Sequence, residues 1–246
     1  FFVEAEVKGL LGGHSGDDIN KKRANSIKLM ARFLYKEMQK MPIRLAVFDG
    51  GKAHNAIPRD CKAIFAVPVS KKEEVKVDWN VYASEVADEY HVTEHGIEML
   101  MGSAEARPVI AAEVSDRIIR CLQAIDNGVF AMCQDEELSW LVETSSNLAS
   151  VRTQDCEMEI VTSQRSCVMT QRDNIAATVK ACFELAGAEV EQGDGYPAWQ
   201  PRANSHLVDV TAETYRKLFG REPKILGIHA GLECGLFAER YPNLDM

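Results

Sequence analysis

The chain has 246 residues, 46% hydrophobic and 26% charged, with a formal charge of -9. That balance excludes a disordered chain and leaves enough apolar residues for a core and a second small domain. A net acidic chain whose basic run is only Lys21-Lys22-Arg23 predicts no nucleic-acid partner. With no apolar run of about 18 residues and no signal-like N-terminus, it also predicts no membrane partner and a cytoplasmic location.

Phe1 to Gly9 alternates apolar Phe1, Val3, Ala5 and Val7 with Phe2, Glu4, Glu6 and Lys8, the period of a half-buried strand. Gly12-Gly13-His14-Ser15-Gly16 breaks it. Ala24, Ile27, Ala31, Leu34 and Met38 then recur at helical spacing, so a helix is predicted over residues 19 to 38, with Asp17 and Asp18 at its N-terminus. Residues 43 to 47 and 61 to 69 read as strands joined by a long turn containing Asp49-Gly50-Gly51 and Asn55-Ala56-Ile57-Pro58. Helices are predicted over 71 to 90 and 109 to 125, paired strands over 145 to 151 and 157 to 162, and a helix over 174 to 186. Strands followed by packing helices, without strict βα alternation, predict an α+β fold: an antiparallel sheet with helices on one face.

From about residue 190 the texture changes. Gly193 to Pro201 is dense in turn residues and reads as a connector. A helix over 205 to 219, a strand over 224 to 228 and a glycine loop over 230 to 235 then read as a partial α/β segment of another domain. The chain opens inside a strand pattern and closes at Leu244-Asp245-Met246 without a polar tail, so it is expected to be cut at both ends.

Seven cysteines (Cys61, Cys121, Cys133, Cys156, Cys167, Cys182 and Cys234) are widely spaced, with no Cys-x-x-Cys pair. They argue against a disulfide framework or a thiolate zinc site, and most are expected to be small buried apolar residues. Cys234 stands beside His229 and Glu233, but a nucleophilic role would need an orienting Asn or Asp that one sequence does not assign. His91-Val92-Thr93-Glu94-His95 matches the H-x-x-E-H pattern of inverted zincins, where two histidines bind zinc and the glutamate activates water. Against that alternative, Gly96 follows at once, and Asp88, Glu89, Tyr90 and Glu98 give the run the look of a solvated helix end.

Four further residues admit two readings each. His14, on a glycine turn ahead of a helix, is either an exposed turn residue or an imidazole placed to meet an anion. Asn55 in Asn-Ala-Ile-Pro-Arg is a turn residue or an amide that donates and accepts. Arg165, at a predicted strand end, is solvated or a planar fork for a carboxylate. Glu233 lies where a carboxylate could hold a substrate ammonium.

Taken in order, Gly12 to Gly16, Phe48 to Gly51, Asn55 to Arg59, Asn127-Gly128-Val129, Val142 to Ser145, Tyr196 to Pro201 and Ile228 to Phe237 resemble the aminoacyl-histidine dipeptidases. These belong to the co-catalytic zinc peptidases that include aminoacylases, carnosinases and tripeptidases. The resemblance covers the whole chain and is least distinctive over 70 to 125. It implies a lid and dimerisation domain over 1 to 190 and a partial segment of the catalytic domain over 191 to 246. It further implies a dipeptide substrate, a homodimer formed through the lid, and two divalent metals, zinc expected, in the full-length family.

In that family a glutamate deprotonates a metal-bound water. The ligands and the glutamate come from a His-x-Asp motif, a Glu-Glu pair and an aspartate ahead of the lid, and a histidine beyond it. None of these motifs is present, and His14, His54, His91, His95, His206 and His229 form no pattern that replaces them. No metal is therefore expected on this chain, and the chain by itself is expected to be inactive, with a non-catalytic self-association module as the competing function. By resemblance His14 assists substrate or oxyanion binding, Asn55 and Arg165 grip the substrate backbone and C-terminal carboxylate, and Glu233 meets its amino end.

Overall fold

The computed structural model describes residues 1–155, 157–193, 195–199, 205–229 and 232–246. Cys156, Asp194 and Gln200-Pro201 of the connector, and Ala230-Gly231 of the glycine loop, lie outside the described residues. In chain order the strands are β1 (Phe2–Lys8), β2 (Gly13–His14), β3 (Arg44–Gly50), β4 (Ala56–Ile57), β5 (Cys61–Ala66), β6 (Glu98–Ser103), β7 (Gly128–Met132), β8 (Val142–Gln154) and β9 (Glu157–Ser166). The helices are α1 (Ser26–Met38), α2 (Lys72–Glu89), α3 (Ala112–Ala124), α4 (Met169–Leu185), α5 (His206–Phe219) and α6 (Glu233–Arg240). No helix among the described residues is long and apolar enough to cross a membrane.

Two compact units divide the chain. The first holds 1–128, 146–163 and 178–190, and the second holds 129–145, 164–177 and 191–246. One passage from first to second falls between Val190 and Glu191.

In the first unit β1 pairs antiparallel with β5 (Val3 opposite Phe65) and with β6 (Glu4 opposite Gly102). β5 pairs with β3 through a bulge between Leu45 and Val47, and Gly50 of β3 meets Val151 of β8. The alternation seen in the sequence decides which face is covered. Val3, Ala5 and Val7 are buried in the core with α1, whereas Glu4 on the other face pairs with Lys62 at 2.7 Å. From α1, Phe33 meets Trp79 edge to face at 4.8 Å, and Tyr82 of α2 donates its hydroxyl to the Leu29 carbonyl at 2.8 Å. Val75, Trp79, Tyr82 and Val86 line one side of α2 at helical spacing. An antiparallel sheet with helices on one face is what the strand and helix order predicts.

Several boundaries differ from expectation. α1 begins at Ser26, because Asn25 takes the cap and accepts from the amides of Ile27 and Lys28. Asp17 and Asp18 belong instead to the preceding loop. β6, unforeseen in the sequence, exists through its ladder with β1. In the second unit β7 pairs with β8. Residues 224–228 form no strand, since none of the described residues offers them a ladder, and Ile225 and Leu226 are exposed. Glu233 opens α6 where a loop was expected. Of the described cysteines, Cys61 and Cys121 are buried, while Cys133, Cys167, Cys182 and Cys234 are half-buried, so fewer sit in the core than the sequence predicts.

Candidate functional site

His14 and Asn55, 41 residues apart in sequence, meet in the first unit. β2 and β4 form a two-residue ladder with Gly13 opposite Ile57 and His14 opposite Ala56, and the Ser15 amide donates to the Asn55 carbonyl at 2.9 Å. Asn147 fixes the second side of this junction, donating from Nδ2 to the Ala56 carbonyl at 2.9 Å. Asn55 is half-buried in the turn immediately ahead of β4.

The orientation of the His14 ring follows from its neighbours. Nδ1 accepts from the amides of Gly16 at 3.2 Å and Asp17 at 3.3 Å, so the neutral ring carries its proton on Nε2 and presents it as a donor. The Asp17 carboxylate, 3.6 Å from Nδ1, is an ion-pair partner only for the protonated ring.

Asp18 braces the same loop. It accepts from the His14 amide at 2.8 Å and from Lys21 Nζ at 2.6 Å, and it pairs with Arg23, which in turn donates to the Gly12 carbonyl. Burial acts to raise the Asp18 carboxyl, but the Lys21 and His14 hydrogen bonds and the Arg23 charge outweigh it and hold the group below the usual carboxylate value. A Cβ on Gly13, whose φ is +138°, would stand 2.3 Å from the Asp18 carboxylate, which explains glycine beside the histidine.

The second unit holds the other two predicted residues. Arg165 is half-buried one residue from the end of β9, and Glu233 is the exposed first residue of α6. The same unit contains a polar cluster to which the sequence assigned no role. Thr144 and Ser166 share a hydroxyl hydrogen bond at 2.9 Å, and Ser145 Oγ lies 2.8 Å from Nε2 of His229, which is 5% exposed. The available signal was Glu143-Thr144-Ser145-Ser146-Asn147, five polar residues inside a strand-length run between Leu141-Val142 and Leu148-Ala149. All five are buried.

The inverted-zincin alternative fails on geometry. α2 ends at Glu89, so His91 and His95 do not share a helical face, and both are exposed. Glu94 is buried with its two carboxylate oxygens accepting from the amides of Leu11 and Ala24, so it holds backbone while the two histidines stand exposed. Among the described residues no three His, Cys, Asp or Glu side chains stand together as a metal cage. The two zinc ions implied by resemblance therefore do not fit the described residues, and no chemical step here is routed through them.

Residues 5–94 match the peptidase dimerisation domain family. Over 241 residues the chain is 38% identical to the cytosol non-specific dipeptidase of Escherichia coli K12, an alignment covering 98% of this chain and 49% of that protein. Its structure is similar to that of aminoacylhistidine dipeptidase from Vibrio alginolyticus, with a TM-score of 0.92 and 35% identity over all of this chain and 50% of that one. The chain thus spans about half the length of the relatives it matches, and the resemblance read from the ordered motifs holds from end to end.

Proposed function

We propose that this chain is the lid and a partial substrate floor of a metal-dependent dipeptidase that hydrolyses unblocked dipeptides such as aminoacyl-histidine. The observation that carries the reading is the junction of β2 and β4, which brings the His14 and Asn55 segments together, with His14 opposite Ala56 and the Ser15 amide on the Asn55 carbonyl, within the stretch that matches the peptidase dimerisation domain family. Half-exposed polar groups on a braced loop over a rigid sheet are what a clamp requires, because their geometry is set before the ligand arrives.

In this reading His14 donates to the carbonyl oxygen as it gains negative charge, or to a substrate carboxylate, and Asn55 holds the substrate backbone. Arg165 takes the C-terminal carboxylate, and Glu233 meets the ammonium. The catalytic water and two divalent metals, zinc foremost, are supplied by parts of the enzyme outside these 246 residues. Residues 1–190 act as the lid, and 191–246 belong to the catalytic domain. The exposure of Ile225, Leu226, Leu236 and Phe237 supports a surface that further protein covers. Homodimerisation through the lid is supported by the domain match, and a cytoplasmic location by the cytosolic relative.

The test is histidine release from an aminoacyl-histidine dipeptide by the protein that carries this chain, supplied with zinc. His14→Ala and Asn55→Ala are each expected to lower kcat/KM by about 10²-fold, the usual cost of a lost transition-state donor or a misplaced substrate. Unchanged kcat/KM in both variants refutes the clamp. Steady histidine release by the isolated 246 residues with zinc refutes the assignment of the metals to other segments. Sedimentation of the same preparation as a monomer counts against the dimer.

A further inference from the structure

We infer that Glu94 is the positioning residue for His14: one buried carboxylate closes both ends of the loop that carries the imidazole. This rests on the reading of His14 as a substrate contact, but the geometry is independent of it. Glu94 is 5% exposed, and its Oε2 accepts from the Leu11 amide at 2.7 Å while its Oε1 accepts from the Ala24 amide at 2.9 Å. Leu11 and Ala24 are the points where the chain leaves the β1 side and re-enters the N-terminus of α1. His14 stands between them.

The loop has no apolar core of its own. Of residues 11 to 24 only Ala24, at its last position, contributes a buried hydrophobic side chain. Its shape is therefore set by polar ties: the Asp18 brace inside and the segment 93–94 at the base. Thr93 Oγ1 adds a third tie, donating to the Lys22 carbonyl at 3.1 Å. Lys22 is also held at φ +53°, the one non-glycine residue in the left-handed region among the described residues, so the loop is fixed in a conformation its sequence does not prefer.

Close approach of the two backbones makes the clamp possible. A Cβ on Gly9, at φ +77°, would lie 2.1 Å from the Gly96 carbonyl oxygen. Glutamate is required chemically, because both targets are N–H donors and only an ionised carboxylate offers two acceptor oxygens with no donor.

The test compares Glu94→Gln with the parent protein by NMR and kinetics. Glutamine keeps one acceptor and turns an NH2 toward the other amide, releasing one end of the loop. Expected results are faster hydrogen exchange at Leu11 or Ala24 with Val3 and Ala5 unchanged, and a change in the imidazole 15N shifts of His14 as Nδ1 loses its two amide donors. An exchange change without any change at His14 overturns the inference. So does a His14 signal identical to that of the parent.

In the complete enzyme, Glu94→Gln is expected to lower kcat/KM at least about tenfold in the parent background, and not at all in a His14→Ala background. An equal loss in both backgrounds marks a merely structural role and overturns the inference. Full activity of His14→Ala refutes the substrate-contact reading instead, and the NMR result still decides the positioning. Glu94→Asp, too short to span both amides, replaces Glu94→Gln if the latter does not fold, with the same expectations.

Discussion

Lys28 of α1 offers a sharp test of the helix layer, because two opposing effects act on one ammonium. Its Nζ donates to the carbonyls of Leu122, Gln123 and Ile125 at 2.9, 2.7 and 2.9 Å, closing the C-terminal end of α3. Hydrogen bonds from a charged donor contribute about 1.5 kcal/mol each at the low end, or roughly 4 to 5 for three. Burial opposes them, pushing the Lys28 pKa down from 10.5 to about 8 despite the nearby Asp126 charge; such a shift corresponds to about 3 kcal/mol against the charged form.

The remainder predicts that Lys28→Met, which keeps the aliphatic stem and removes the donors, destabilises the protein by about 1 to 2 kcal/mol at pH 7. The sign of the pH dependence follows. Between pH 8 and 10.5 the unfolded lysine binds more proton than the folded one, so the parent gains stability as pH rises through that window. The gap between parent and variant therefore widens, by up to about 3 kcal/mol. Urea unfolding followed by circular dichroism at pH 7, 8, 9 and 10 measures it, and taking the difference cancels the other titrating groups. A gap that stays flat or narrows refutes the reasoning, since the carbonyls would then hold the ammonium more strongly than burial opposes it.

Asn25→Ala removes the cap of α1 and two bonds from Nδ2, to Asn127 Oδ1 at 3.0 Å and to the Leu148 carbonyl at 2.8 Å. A loss of about 2 to 4 kcal/mol in urea unfolding is expected, and less than 1 would show that the network contributes little beyond the cap. Lys22→Asn places a residue tolerant of the left-handed region at φ +53°. Calorimetry should show a rise in Tm from a gain of about 1 kcal/mol or less, with the proposed activity of the complete enzyme unchanged; a lower Tm would mean that the lysine side chain itself is used.

Elements fixed by long periodic patterns were legible in the sequence, and those fixed by a partner were not. β1 and α2 follow from alternation and helical spacing over seven and eighteen residues. β6, Glu-Met-Leu-Met-Gly-Ser, has no β-branched residue, and only its register with β1 makes it a strand. The reverse error occurs at 224–228, where an apolar run read as a strand finds no ladder. Asp17 and Asp18 looked like a helix start by charge, yet Asn25 caps the helix and Asp18 is spent on the loop. His14 and Asn55 were identifiable one at a time from their motifs. Their adjacency was not, because β2 and β4 have two residues each and carry no period to read.

The run His91 to His95 shows where the site's support comes from. The motif pairs residues by spacing, and beyond the end of α2 that spacing has no helical meaning, so Glu94 is free to turn inward. Once inward, its carboxylate needs donors, and the loop amides of Leu11 and Ala24 need acceptors; each satisfies the other's desolvation. The same exchange recurs at Asn147, whose amide meets the Ala56 carbonyl beside Asn55. His14 and Asn55, the half-buried side chains of the first unit proposed to touch substrate, thus stand on segments shaped by buried polar groups. Changes at those buried groups should therefore alter kcat/KM before they alter the melting of the sheet, whose core is made elsewhere by Val3, Ala5, Phe33 and Trp79.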